Sequence, residues 1–120
     1  MNNLLFIAGG GAIGSVFRFW MSTLVQNILG KDFPYGTLSV NLLGSILIGL
    51  LSVILQARPE WRLLLIVGLL GGFTTFSAFS LETVQLLQNG QAGKALLNVL
   101  LSVSLCLLGC WLGIIVGKRI

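Results

Sequence analysis

The chain is divided by four apolar stretches, each near the ~20 residues that a helix needs to cross hydrocarbon. They cover residues 4–25, 37–55, 63–87 and 95–116. The links between them are short and polar. The first holds Gly30, Lys31, Asp32 and Pro34, the second Arg58, Pro59 and Glu60, the third Asn89, Gly90 and Gly93. Links of this length force consecutive helices to run antiparallel. Of 120 residues 56% are hydrophobic and only 8% charged, against roughly 25% charged in soluble domains. So short a chain cannot hide that much apolar surface inside itself. Lipid is therefore its solvent, and residues 1–120 read as a single four-helix transmembrane domain with no room for an extramembrane one.

The net charge is +4. The bases are scattered near span ends, where they meet headgroups or water rather than nucleic acid. Arg58, Arg62, Lys118 and Arg119 share one side; Lys31 and Lys94 share the other, with Arg18 if it snorkels that way. This bias favours a cytoplasmic N-terminus, yet it is small enough for both orientations to insert. The first apolar run lacks the basic flank of a signal peptide and is too long for one.

Enzymatic chemistry finds little support. There is no histidine and no carboxylate pair. Cys106 and Cys110 lie four apart in the last span with no visible base or further metal ligand, and read as small packing residues.

At about 100° per residue, polar and small side chains gather on single faces. In the first span these are Gly11, Gly14, Ser15, Arg18 and Ser22; in the second Thr37, Asn41, Gly44, Ser45 and Ser52; in the fourth Asn98, Ser102, Cys106, Gly109 and Gly113. Small residues let helices approach, and Ser, Thr and Asn bond across them. Asn41 and Arg18 stand apart, because an amide or a charge in hydrocarbon is costly and usually functional or paired.

The third span contains Gly71-Gly72-Phe73-Thr74-Thr75-Phe76-Ser77-Ala78-Phe79-Ser80. Adjacent glycines weaken a helix, and hydroxyls divert its hydrogen bonds. One reading is two half-helices meeting near the midplane, with carbonyls free for a cation and amides for an anion. The other is a packing notch in a continuous helix. Phe76 and Phe79, at i and i+3, share a face beside Ser77, Ser80 and Thr83. Ring edges are positive and, beside hydroxyl donors, suit a small dehydrated anion; two such rings are also common as lipid-facing or core residues. Glu82 is the only carboxylate inside a span and lies about one turn from its end.

These motifs resemble those of the CrcB/Fluc family of fluoride channels. The likeness runs nearly end to end: Gly9 to Ser15 followed by Arg18, Gly36-Thr37-Leu38 with Asn41-Leu42-Leu43-Gly44, and Gly71 to Ser80 with Glu82. The resemblance implies an antiparallel, dual-topology homodimer in the bacterial cytoplasmic (inner) membrane, with two narrow pores along the interface. It implies a broken third helix whose carbonyls, here at Gly71 and Thr74, hold a structural sodium ion (Na+) at the dimer centre. It also implies pore-lining Phe76 and Phe79, a pore-facing Asn41, and a hydroxyl track at Ser77 and Ser80; Thr37 and Arg18 complete the set assigned to the pore. Ala78 departs from the pattern, standing where relatives often carry Thr. Fluoride holds its water tightly, so a selective pore must replace that shell with donors while staying narrow. Flow would be passive, exporting fluoride that entered as the neutral acid.

Two other readings compete. A small multidrug exporter has the same size but needs a carboxylate in its first helix, where this chain offers Arg18. A structural subunit of a larger complex would use the polar stripes as docking seams.

Overall fold

A computed structural model describes residues 2–120. Within it the chain forms four spans, each long and apolar enough to cross a membrane: Asn2–Leu29, Tyr35–Ile54, Pro59–Gln88 and Ala92–Arg119. The molecule measures 48 × 31 × 22 Å. Its long axis is comparable with a bilayer including its headgroup layers, about 40–45 Å. Side chains such as Phe19, Trp20, Leu107 and Trp111 face outward. That arrangement suits lipid and would be untenable in water. The protein is an all-helical, multi-pass membrane protein.

The spans outrun the apolar windows that mark them in the sequence. The first continues past Gln26 to Leu29, because Gln26 works inside the helix. Its Nε2 donates to the carbonyls of Gly30 and Phe33, both at 2.6 Å. Its Oε1 accepts from the Gly36 N–H at 2.9 Å. One side chain thus satisfies three backbone groups of the first link. Gly30 makes the turn at φ +108°, a conformation that glycine adopts freely.

The closest pairings are the second span with the fourth, and the first span with the N-terminal half of the third. Glycines set both seams. A Cβ on Gly49 would run into the Cys110 carbonyl oxygen, and one on Gly113 into that of Ile46. Across the other seam, a Cβ on Gly14 would strike the Leu69 carbonyl oxygen, and one on Gly72 would sit 2.6 Å from that of Gly11. Without a hydrophobic driving force in lipid, such backbone proximity is what lets dispersion hold helices together. Val40, Leu70 and Phe73 form a small buried cluster between these seams.

The third span changes geometry along its length. Pro59–Trp61 opens it, Arg62–Leu70 is wound as a wide π-helix, and Gly71–Phe73 returns to α-helical form. Thr74 (φ −83°, ψ 154°) and Thr75 (φ −149°, ψ 111°) are extended, and helix resumes over Phe76–Gln88.

Candidate functional site

The two extended residues are the structural centre of the site. Thr75 caps the following helix: its Oγ1 accepts from the Ala78 N–H at 3.1 Å. Asn41, reaching across from the second span, pairs twice with the Thr75 backbone. Its Oδ1 accepts from the Thr75 N–H at 2.7 Å, and its Nδ2 donates to the Thr75 carbonyl at 3.0 Å. The amide that stood out as costly in the sequence is therefore matched to a stretch of backbone that could not otherwise be bare in lipid.

This pairing has a consequence for the carbonyls. In a continuous helix the Thr75 N–H would bond the Gly71 carbonyl, and the Ala78 N–H that of Thr74. Here those donors go to Asn41 and to the Thr75 hydroxyl. The carbonyls of Gly71 and Thr74 lose their helical partners. The Leu70 carbonyl, by contrast, accepts both the Thr74 N–H (2.9 Å) and the Thr74 hydroxyl (3.0 Å).

A surface cleft of about 380 Å³ opens beside the break. Asn41, Gly71, Thr74, Thr75, Phe76 and Phe79 line it, with Ser102 and Cys106 from the fourth span. The Phe76 and Phe79 rings are tilted against one another with centroids 5.4 Å apart. Phe76 is 78% exposed. Cys106 is half-buried at this cleft, and Cys110, also half-buried, belongs to the seam with Gly49.

Five of the residues singled out from the sequence thus meet at one cleft: Asn41, Gly71, Thr74, Phe76 and Phe79. Four do not line it. Ser80 donates to the Phe76 carbonyl at 2.9 Å, and Ser77 bonds the Thr75 hydroxyl at 3.2 Å. Arg18 and Thr37 line a second cavity of about 270 Å³ with Ser22, Thr75, Ala78 and Glu82. Thr75 is the wall common to both.

From the second cavity a polar route continues outward. Thr37, Ser22 and Glu82 also line a neighbouring space with Gln26 and Lys31. Glu82 lines a third, of about 420 Å³, with Lys31, Asp32 and Lys94. Lys94 Nζ donates to the Asp32 carbonyl at 3.0 Å, joining two links at this end. Glu82 sits where the three spaces meet, with Oε1 buried and without a hydrogen-bond partner. Among the described residues no group of three or more His, Cys, Asp and Glu side chains converges.

Sequence reasoning left three residues in or beside this site without a role. Thr75 was visible only as one hydroxyl among four. Gln26 carried the signal of an amide at the edge of a Gly- and Pro-containing link. Asn98 lay on a polar stripe, but its partner could not be read from spacing.

The architecture defines a class: a multi-pass membrane protein in which polar cavities from one end meet a helix break beside a surface cleft. A family model described as "CrcB-like protein, Camphor Resistance (CrcB)" matches residues 5–114. The chain belongs to that family. It is 48% identical over 125 residues, the full length of both chains, to a Coxiella burnetii protein named "Fluoride-specific ion channel FluC". It is 52% identical to proteins of the same name from Shewanella amazonensis, over 94% of each chain, and Magnetococcus marinus, over 98% of each.

Proposed function

We propose that the chain is a passive, fluoride-selective channel that exports fluoride from the cytoplasm, acting as an antiparallel homodimer in the bacterial inner membrane. It is a channel and not an enzyme. The observation that carries this reading is the whole-length likeness to proteins named fluoride-specific ion channels.

The geometry supports a route. An anion enters past Lys31 and Lys94, moves by Ser22, Thr37 and Arg18, and reaches the break at Thr75. It then passes the edges of Phe76 and Phe79. Hydroxyls and ring edges replace the hydration shell in the cleft, whose lining holds no lysine or arginine to trap the ion. In the single subunit Phe76 faces outward. A second copy placed on this face would enclose the cleft as a pore.

The carbonyls of Gly71 and Thr74 fit a structural sodium ion. They are neutral oxygens freed from the helix, and among the described residues no carboxylate cluster stands by to balance a divalent ion. One break supplies two such oxygens; a two-fold axis would double them with the same residues. The ion would tie the subunits together and take no part in driving transport.

Reconstituted protein tests the whole. Proteoliposomes loaded with fluoride should empty on activation, while those loaded with chloride should not. Comparable efflux of both halides overturns the reading. Phe76→Ile and Phe79→Ile should slow fluoride efflux with assembly intact, since Ile keeps bulk and loses the quadrupole. Flux that scales with an imposed sodium gradient would overturn the structural ion. A C-terminal reporter found on one side only would overturn the antiparallel dimer.

A further inference from the structure

Within the Phe76–Gln88 helix no residue is buried. Yet this helix carries both phenylalanines of the cleft, so something other than apolar packing must hold its angle. At its start the Asn41–Thr75 pair does so. Farther along, a second polar link joins it to the fourth span. Asn98 is 2% exposed. Its Nδ2 donates to Thr83 Oγ1 at 2.9 Å, and its Oδ1 accepts from the Ser102 hydroxyl at 3.3 Å. Thr83 Oγ1 in turn donates to the Phe79 carbonyl at 2.7 Å. Four groups in series thus run from the fourth span to the backbone of a cleft phenylalanine. Each has a partner, as groups sealed from water require.

We propose that Asn98 is a positioning residue for the half-helix bearing Phe76 and Phe79, acting through the Thr83 hydroxyl. Thr83 is the acceptor that lets a buried amide lie against this helix, and its own proton fixes the rotamer by bonding Phe79. Removing the Thr83 hydroxyl leaves the buried Asn98 Nδ2 without this acceptor, and removing the Asn98 amide leaves Thr83 Oγ1 without this donor. The helix then loses its only side-chain hydrogen bond to the fourth span among the described residues, and the rings lose a fixed orientation.

The test compares Thr83→Val, which keeps volume and removes the hydroxyl, with Thr83→Ser, which keeps the hydroxyl and removes a methyl. Asn98→Leu and the Asn98→Leu/Thr83→Val double variant complete the set. Two quantities are read on the full-length protein: amide hydrogen exchange over residues 80–88 and fluoride efflux from liposomes. Thr83→Val and Asn98→Leu should each speed exchange and slow efflux by about threefold, the scale of an interhelical hydrogen bond in a membrane. Thr83→Ser should match the parent, and the double variant should be no worse than the worse single, since both break one link. Unchanged exchange in Thr83→Val overturns the proposal. So does a Thr83→Ser variant as impaired as Thr83→Val, which would assign the effect to methyl packing. If Asn98→Leu does not fold, the two Thr83 variants decide. The efflux arm rests on the channel reading above, and the exchange arm does not. A parent protein that passes no fluoride therefore removes the channel reading while exchange still decides the link.

Discussion

On the N-terminal side of Thr74, the third span buries Gly68, Leu70 and Phe73 and lies against the first span with almost no side chains between the backbones. On the C-terminal side, Phe76–Gln88 has no fully buried residue and is fixed by amides and hydroxyls from its neighbours. The two halves belong to one crossing of the membrane but obey different rules. Close packing resists any added volume and is indifferent to polarity. Hydrogen-bonded anchoring tolerates volume but not the loss of a donor or acceptor. The second kind leaves a helix face free to carry rings and hydroxyls toward a cleft, which a tightly packed face could not do.

The contrast can be broken by substitution, and the largest effect belongs to the packed half. Gly14→Val places a side chain against the Leu69 carbonyl, and should lower stability by about 3 kcal/mol, the upper end for overpacking. Thermal unfolding in detergent, followed by size exclusion, measures this. An unchanged midpoint would mean that the seam yields, and the distinction between the halves would fall.

Next comes the anchor. Asn41→Leu keeps the number and branching of side-chain heavy atoms but strips partners from the Thr75 N–H and carbonyl. The expected loss is about 2 kcal/mol, within the range for leaving buried backbone groups unsatisfied. Fluoride efflux should fall as well, because the break loses its shape. A variant as stable and as active as the parent would show that the break holds itself.

Thr75→Val removes the helix cap, and about 1 kcal/mol should go with it. Thr75→Ser should restore stability in the same assay. Equal stability of Val and Ser would mean the hydroxyl has no capping role. The smallest effect is expected at Gly9, where an added Cβ meets nothing within 4 Å. Gly9→Ala should leave stability unchanged or raise it by less than about 1 kcal/mol, through helix propensity alone. A large loss there would point to a neighbour that the single subunit lacks.

How much of this was legible in the sequence depends on range. The four spans follow from length and apolarity, since an apolar run of about 20 residues crosses lipid as a helix that satisfies its own backbone. Gly14 and Gly113 could be suspected as seam residues, because small side chains at helical spacing have few other uses; Gly49 lay off the stripe read for its span. Asn41 stood out because an amide in hydrocarbon needs a reason. What it bonds is 34 positions away, and no periodicity reports such a distance. The Asn98–Thr83 link was hidden likewise, although both residues sat on polar arcs. The π-helical winding of Arg62–Leu70 left no trace at all, because Leu, Ile and Val read alike in either helix. The Gly71-to-Ser80 motif held two readings open, since glycines and hydroxyls can make a notch or an opening. Thr74 and Thr75 take extended dihedral angles, which spacing alone did not report.

The seams pair the first span with the third and the second with the fourth, so the pairs are interleaved along the chain. During synthesis the first span enters the bilayer with its glycine face unmatched and must wait until Gly72 has emerged. The second waits longer, until Gly113 is in place. Cutting the chain in the middle link separates the members of both pairs at once, and neither fragment inherits either of these two seams. Two such pieces, made separately in one cell, would have to find each other in the plane of the membrane before either seam could form.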